Sequence, residues 1–279
     1  MTALVDTTWV AAHLQDPSVR LLESNEDLLL YRMGHLPGAA EVWWDSDLQA
    51  TTSRDVLDAA AFAHLMERLG IARKTTVVLY GDRLNGWAAY AFWVLRYYGH
   101  PEVRLMDGGR ERWINEGRAL TMAPPTFPPT SYPLPECRPE VRVLAPALLD
   151  AVRGSTVTLI DARPKAQYAC EVHPSIAYPT TGAHRGGHIP GAVNVPWHEL
   201  FDAHCCLKTP DELRQLYAGA GADLTRPVVT YCIIGIGSSV TYIVLHDVLG
   251  HQDVRNYDGA WLEWGSSIGY PIIVDRAGL

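Results

Sequence analysis

The chain repeats itself, and the repeat limits what it can fold into more than any other feature. Gly34-His35-Leu36-Pro37-Gly38-Ala39 returns as Gly187-His188-Ile189-Pro190-Gly191-Ala192, an offset of 153 residues. Val77-Val78-Leu79-Tyr80 matches Val228-Val229-Thr230-Tyr231, and Asp107-Gly108 with Trp113 matches Asp258-Gly259 with Trp264, both at an offset of 151. Matches in one order at nearly one offset mean two copies of a single structural unit. Between the copies, residues 123–139 hold Pro124, Pro125, Pro128, Pro129, Pro133, Pro135 and Pro139. Such a stretch continues neither a helix nor a central strand, so it reads as an extended linker. The expected organisation is a first domain over residues 1–122, a linker over 123–139 and a second domain over 140–279.

Local patterning gives the class of each copy. Residues 156–161 form an apolar, β-branched run suited to a buried strand. Residues 210–217 place Leu213, Leu216 and Tyr217 at helical spacing, and Thr209-Pro210 has the form of an N-cap followed by proline at the first helical position. Val228-Val229-Thr230-Tyr231 is a second buried strand, and residues 238–249 follow as a helix closed by Gly250. Strand, helix, strand, helix predicts an α/β fold, each half a parallel sheet flanked by helices.

Composition narrows the class of partner. Hydrophobic residues make up 48% and charged residues 19% of the 279, which is globular. The net charge of −8 argues against nucleic acid or an anionic membrane, since both require a basic face. No apolar run approaches the ~20 residues that span a bilayer. The first ten residues lack the basic and apolar segments of a signal peptide. Five cysteines, an odd number, do not form a disulfide framework. These readings lead to the expectation of a cytoplasmic protein in a reducing compartment.

One cysteine stands apart. Cys232 directly follows a buried strand and opens the loop Cys232-Ile233-Ile234-Gly235-Ile236-Gly237-Ser238-Ser239, which runs into a helix. In an open α/β sheet, ligands bind beyond the carboxyl ends of the strands. There a sulfur faces a helix N-terminus, where peptide N–H groups favour the thiolate. Gly235 and Gly237 allow a tight turn that aims N–H groups at the sulfur. From position alone, a buried inert thiol is an equal alternative. Ser238 and Ser239 can donate to the sulfur or cap the helix.

Taken together, Asp161-Ala162-Arg163 with Tyr168, Arg185-Gly186-Gly187-His188-Ile189-Pro190-Gly191-Ala192, Tyr231-Cys232 with its glycine loop, and Tyr257-Asp258-Gly259 with Trp261 and Trp264 resemble the rhodanese family in order and spacing. The duplicated arrangement is similar to tandem thiosulfate and 3-mercaptopyruvate sulfurtransferases, over nearly the whole chain. The resemblance implies two rhodanese domains with catalysis in the second. Cys232 would take a sulfane sulfur from a small-molecule donor, hold it as a persulfide and pass it to cyanide, a thiol or a protein acceptor. Ile233, Ile234, Gly235, Ile236, Gly237 and Ser238 would form the persulfide-stabilising loop, with no metal and no organic cofactor. At the 151-residue offset Gly81 stands where Cys232 does, so the first copy is expected to be non-catalytic.

The loop departs from the family, whose members commonly carry arginine after the cysteine. No charge lies between Cys232 and Ser239. A dianion such as thiosulfate must shed water to enter, and an unpaired buried charge is costly. The expected consequences are weak thiosulfate binding, reduced activity, and a better fit to less charged sulfur donors or apolar thiol acceptors. Candidate replacement cations are Arg185 and Lys165. Arg163 is expected to pair with a buried carboxylate, with Asp161 structural beside it. His188 is expected to satisfy local backbone, and Asp82 with Arg83 to form a solvated pair. Trp87 and Trp197 are candidates to line a cleft between the domains. Three other readings compete. A phosphatase requires arginine six residues after the cysteine, where Ser238 stands. Zinc at His198, His204, Cys205 and Cys206 lacks any Cys-x-x-Cys pair. A protein-binding module fits the isoleucine loop but leaves Cys232 unexplained.

Overall fold

The computed structural model describes residues 3–177 and 182–274. The chain divides into two compact units. One takes the residues up to Arg138 together with Phe201–Leu207; the other takes Pro139–Leu200 and the residues from Lys208 onward. Both are built on wholly parallel sheets. In the first unit β1 (Leu4–Val5), β2 (Val19–Glu23), β3 (Ala40–Glu41), β4 (Thr76–Tyr80) and β5 (Val103–Met106) lie in the order β1-β5-β4-β2-β3. In the second, β6 (Thr158–Asp161), β7 (Ala192–Asn194), β8 (Val228–Tyr231) and β9 (Val254–Asn256) lie in the order β7-β6-β8-β9. β6 and β8 are buried at every position, as near-continuous apolar runs in a covered sheet should be.

The second unit's elements follow the sequence pattern closely. Strand β6 starts two residues later than expected because Thr156 N–H still bonds Ala151 at the end of the helix Ala145–Gly154. The helix Pro210–Gly219 begins as read: Thr209 and Glu212 form a reciprocal capping box, with Pro210 in the first turn. The helix after the cysteine starts earlier than expected, at Ile236, and runs to Ile243. It continues as a wider π-turn, Val244–Val248, before Gly250 at φ 80.

The repeated motifs do the same work in both units. Tyr31 stacks on His35 at 3.9 Å and its hydroxyl donates to Ala39. Tyr168 stacks on His188 at 3.8 Å and its hydroxyl donates to Ala192. The imidazoles bond the tyrosine carbonyls, and the backbone N–H groups of His35 and His188 donate to the carbonyls of Thr121 and Ile273 respectively. His188 thus satisfies local backbone, as its motif suggested. Trp113 and Trp264 donate their indole N–H groups to Ala119 and Pro271.

Residues 123–138 contain neither helix nor strand, in keeping with their prolines, and they pack onto the first unit. Arg20 lies over the Phe127 ring at 3.9 Å. Tyr132 is buried, and its hydroxyl meets His100 Nδ1 at 2.8 Å. His100 Nε2 meets the Thr75 carbonyl at 2.8 Å. A carbonyl only accepts, so Nε2 carries the proton, Nδ1 accepts from Tyr132, and the ring is neutral. Burial pulls the His100 pKa down to about 4. The unfolded chain therefore binds the proton first as pH falls. Stability should drop by roughly 3 kcal/mol between pH ~6.5 and ~4 and then level off. Urea titrations across this range should show the slope in the wild type and its loss in His100→Gln.

Candidate active site

The site is built outward from the end of β8. Tyr231 is the last residue of that strand and Cys232 emerges at the carboxyl edge of the sheet. The Cys232 backbone is fixed from one side by Trp261 N–H, which donates to its carbonyl at 2.9 Å. Leu262 N–H does the same for Ile233 at 3.0 Å. Gly235 then turns the chain at φ 95, a conformation that favours glycine, and caps the helix Ile236–Ile243.

This turn brings two donors to the sulfur. Gly235 N–H donates to Cys232 Sγ at 3.2 Å, and Ser238 Oγ lies 3.6 Å from the same atom. Ser238 Oγ also lies 3.2 Å from the Gly235 carbonyl, so its one proton serves either acceptor. Ser239 donates to that carbonyl at 2.8 Å and itself accepts from Asn256 Nδ2 at 3.0 Å. Asn256, in β9, thus holds the turn from below, a role that nothing in its sequence context signals. Cys232, Ile233 and Ile236 are buried, and Ile234 is half-buried. Among the described residues, the N–H groups of Ile233, Ile234, Ile236 and Gly237 make no hydrogen bond to this sulfur; they line the same turn.

Beneath the loop lies a buried charged node. Arg163 and Asp161 pair at 2.5 Å with both side chains fully buried, as expected for this arginine. Burial alone would lower the Arg163 pKa, but the Asp161 charge outweighs it and holds the guanidinium protonated. Arg163 also donates to the Gly187 carbonyl at 2.7 Å and lies 4.2 Å over the Trp261 ring. The Tyr231 hydroxyl accepts from Ile189 N–H at 3.1 Å. Burial, then the Asp161 charge, hold Tyr231 far above the usual phenol range. Tyr231 is therefore a fixed hydrogen-bonding post beside Cys232.

The arginines near the motifs are committed to protein groups. Arg185 donates to the carbonyls of Gly265, Tyr270, Trp264 and Ser267 at 2.6–3.1 Å. That clamp corrects the expectation of a substrate-binding arginine, because four carbonyls already occupy its fork. Arg142 grips Asp258 bidentately at 2.8 and 2.9 Å. Lys165 opens the short helix Lys165–Tyr168 and is exposed.

The corresponding loop of the first unit is built differently. A Cβ on Gly81 would overlap the Ser24 carbonyl oxygen and lie 3.0 Å from its carbon. Asn85 Oδ1 takes the Gly81 N–H at 2.9 Å. Asp82 is buried, contrary to the expected solvated pair, because its carboxylate accepts from Glu26 N–H at 2.8 Å and Asp27 N–H at 3.2 Å. Arg83 is exposed and pairs with Glu26 instead. Of the cysteines weighed for zinc, Cys206 accepts from Arg112 at 2.6 Å within this unit. Among the described residues, no three histidine, cysteine or acidic side chains are set to hold a metal ion. Gly81→Cys should create no reactive thiol and should lower stability by about 1–3 kcal/mol through overpacking. Urea unfolding with thiol titration checks this; an equally stable variant with a new reactive thiol would contradict it.

Comparison with known proteins agrees with this architecture. The model of the rhodanese-like domain matches twice, over residues 6–116 and 144–267. The sulfur carrier protein TtuD of Thermus thermophilus is 46% identical over 272 residues, covering 96% of this chain and 95% of that protein. A thiosulfate sulfurtransferase of Corynebacterium glutamicum is 41% identical over 272 residues, covering 96% and 89% respectively. The crystal structure of SseA from Escherichia coli, described as showing the rhodanese fold and catalytic mechanism of 3-mercaptopyruvate sulfotransferases, is also similar. It has a TM-score of 0.80 at 29% identity, over 94% of this chain and 99% of that one. Two parallel α/β units, each with the same tyrosine, Gly-His-x-Pro-Gly turn and Asp-Gly corner, match this family in sequence and in fold, and the chain belongs to the rhodanese-like family in its tandem-domain form.

Proposed function

We propose that the protein is a sulfurtransferase that carries sulfur as a persulfide on Cys232, in its second domain. The observation that carries this reading is the pair of donors converging on one sulfur at the end of β8, Gly235 N–H and Ser238 Oγ. The same donors suit a thiolate and, after loading, the charge of a persulfide. The thiosulfate sulfurtransferase name of a relative supports the reaction class. The overlap at Gly81 supports a non-catalytic role for the first unit.

With thiosulfate, the Cys232 thiolate attacks the outer sulfur. A new S–S bond forms, the old one breaks, and sulfite leaves with the electron pair. With 3-mercaptopyruvate the broken bond is C–S, and the carbon keeps the electron pair and takes the thiol proton, giving pyruvate. In the second half-reaction a cyanide ion or thiolate attacks the outer sulfur of the persulfide. Thiocyanate or a new persulfide departs and Cys232 is regenerated. The sulfur carrier is the residue itself. A cytoplasmic, reducing setting belongs to the same reading, because it keeps the thiol free.

A relay to a protein acceptor is the second reading, favoured by the sulfur carrier protein that is 46% identical to this chain. Both readings pass through Cys232. Cys232→Ser should abolish thiocyanate formation while leaving the melting temperature close to wild type; retained turnover would overturn the mechanism. Ile233→Arg should raise thiosulfate turnover at least ~10-fold, since a hydrogen bond to a charged group contributes about 1.5–3 kcal/mol. Initial rates with cyanide as acceptor measure both.

A further inference from the structure

The loop's missing charge has a steric counterpart in Trp197. The indole belongs to a half-buried residue that follows β7 and whose backbone N–H donates to the Ala162 carbonyl at 3.0 Å. A Cβ on Gly237 would lie 2.7 Å from Cγ and 2.9 Å from Nε1 of that indole, and closer still to Cδ1. Approaches under 3.0 Å are ones that real Cβ atoms do not make. The ring therefore occupies the volume in which a side chain at 237 would start. Residue 237 sits directly before Ser238, whose hydroxyl reaches Cys232 Sγ. Ile233, Ile234 and Ile236 complete an uncharged surround, and Arg163, Arg185 and Arg142 are held by protein groups.

We infer that Trp197 and Gly237 act together as the specificity-determining element of the Cys232 loop. The indole excludes a cation from position 237 and offers an apolar wall in its place. The inference rests on the sulfurtransferase reading and names its donor class: sulfane-sulfur compounds that release their outer sulfur by breaking an S–S bond and whose leaving group carries an apolar substituent and a single negative charge, as in an organic thiosulfonate. A dianion entering this loop meets no cation among the loop's own side chains, whereas an aryl or alkyl group gains by leaving water against the indole and isoleucines.

Thiosulfate and benzenethiosulfonate make a matched pair of probes. Each gives its outer sulfur to the Cys232 thiolate by breaking one S–S bond. The first releases sulfite and the second, a monoanion, releases benzenesulfinate with the electron pair. Rates of sulfur loading, read by quenched-flow intact mass, should favour benzenethiosulfonate at least ~10-fold in the wild type, equivalent to 1.4 kcal/mol. Trp197→Ala with Gly237→Arg together should bring that ratio below one. Gly237→Arg alone should gain much less for thiosulfate, because the indole still holds the seat. A wild-type ratio at or below one, or the full gain from Gly237→Arg alone, would overturn the inference.

A stability cycle tests the steric element without activity. Gly237→Ala should lower Tm by at least ~2 °C in the wild type and by less than ~1 °C in the Trp197→Ala background. Equal losses in both backgrounds would overturn the inference even if sulfur loads normally. No loading of the wild type by either donor, with the cycle as expected, would overturn the sulfurtransferase reading and the donor class built on it, while leaving the exclusion at position 237 standing.

Discussion

A buried carboxylate paired with an arginine and braced by a tyrosine holds the end of the central strand in each unit. In the second, Asp161 pairs with Arg163, Arg163 reaches Gly187, and Tyr231 takes Ile189 N–H. In the first, Glu23 pairs with Arg110 at 2.7 Å, Arg110 reaches Gly34, and Tyr80 bonds Glu23 and takes Leu36 N–H at 3.0 Å. Both nodes lock the Gly-His-x-Pro-Gly turn to the strand that precedes the loop. Removing one partner of such a pair costs about 3–5 kcal/mol, because the other charge is left buried alone. The arginines differ in origin. Arg110 begins a helix, and at its repeat position stands Trp261, over whose ring Arg163 lies.

On this shared frame the two loops diverge. Arg110 N–H bonds the Gly81 carbonyl at 2.9 Å, as Trp261 N–H bonds that of Cys232, so the backbone frame is common to both. What differs is the filling. Asn85 and Asp82 consume the N–H groups around the first loop, while the second leaves Gly235 N–H for a sulfur. A side chain cannot be placed at Gly81 without moving Ser24, and none can be placed at Gly237 without moving Trp197. In the proposed mechanism, packing as well as the presence of cysteine confines sulfur chemistry to one loop.

The sequence made legible those features that rest on local pattern or repetition. Val228–Tyr231 is a strand at the residues expected, Thr209 caps its helix, and Arg163 finds a buried carboxylate. What it hid depends on distant partners. Arg185 looks like a free cation until four carbonyls from residues 264–270 surround it. Asp82 looks solvated until the N–H groups of Glu26 and Asp27 close on it. Phe201–Leu207 belongs to the first unit through bonds such as Leu207 N–H to Asp107 at 2.9 Å, and no periodicity announces that. The Glu23–Arg110 node was partly readable, since Glu23 closes its strand as Asp161 does.

The proposed sulfur transfer depends on one atom, Cys232 Sγ. The most direct measurement is intact mass with peptide mapping after incubation with a sulfane-sulfur donor, then again after cyanide. The expected result is a gain of one sulfur atom, located on the peptide containing Cys232 and removed by cyanide as thiocyanate. A folded protein with a free Cys232 thiol that gains no sulfur, or gains it on another cysteine, would contradict it.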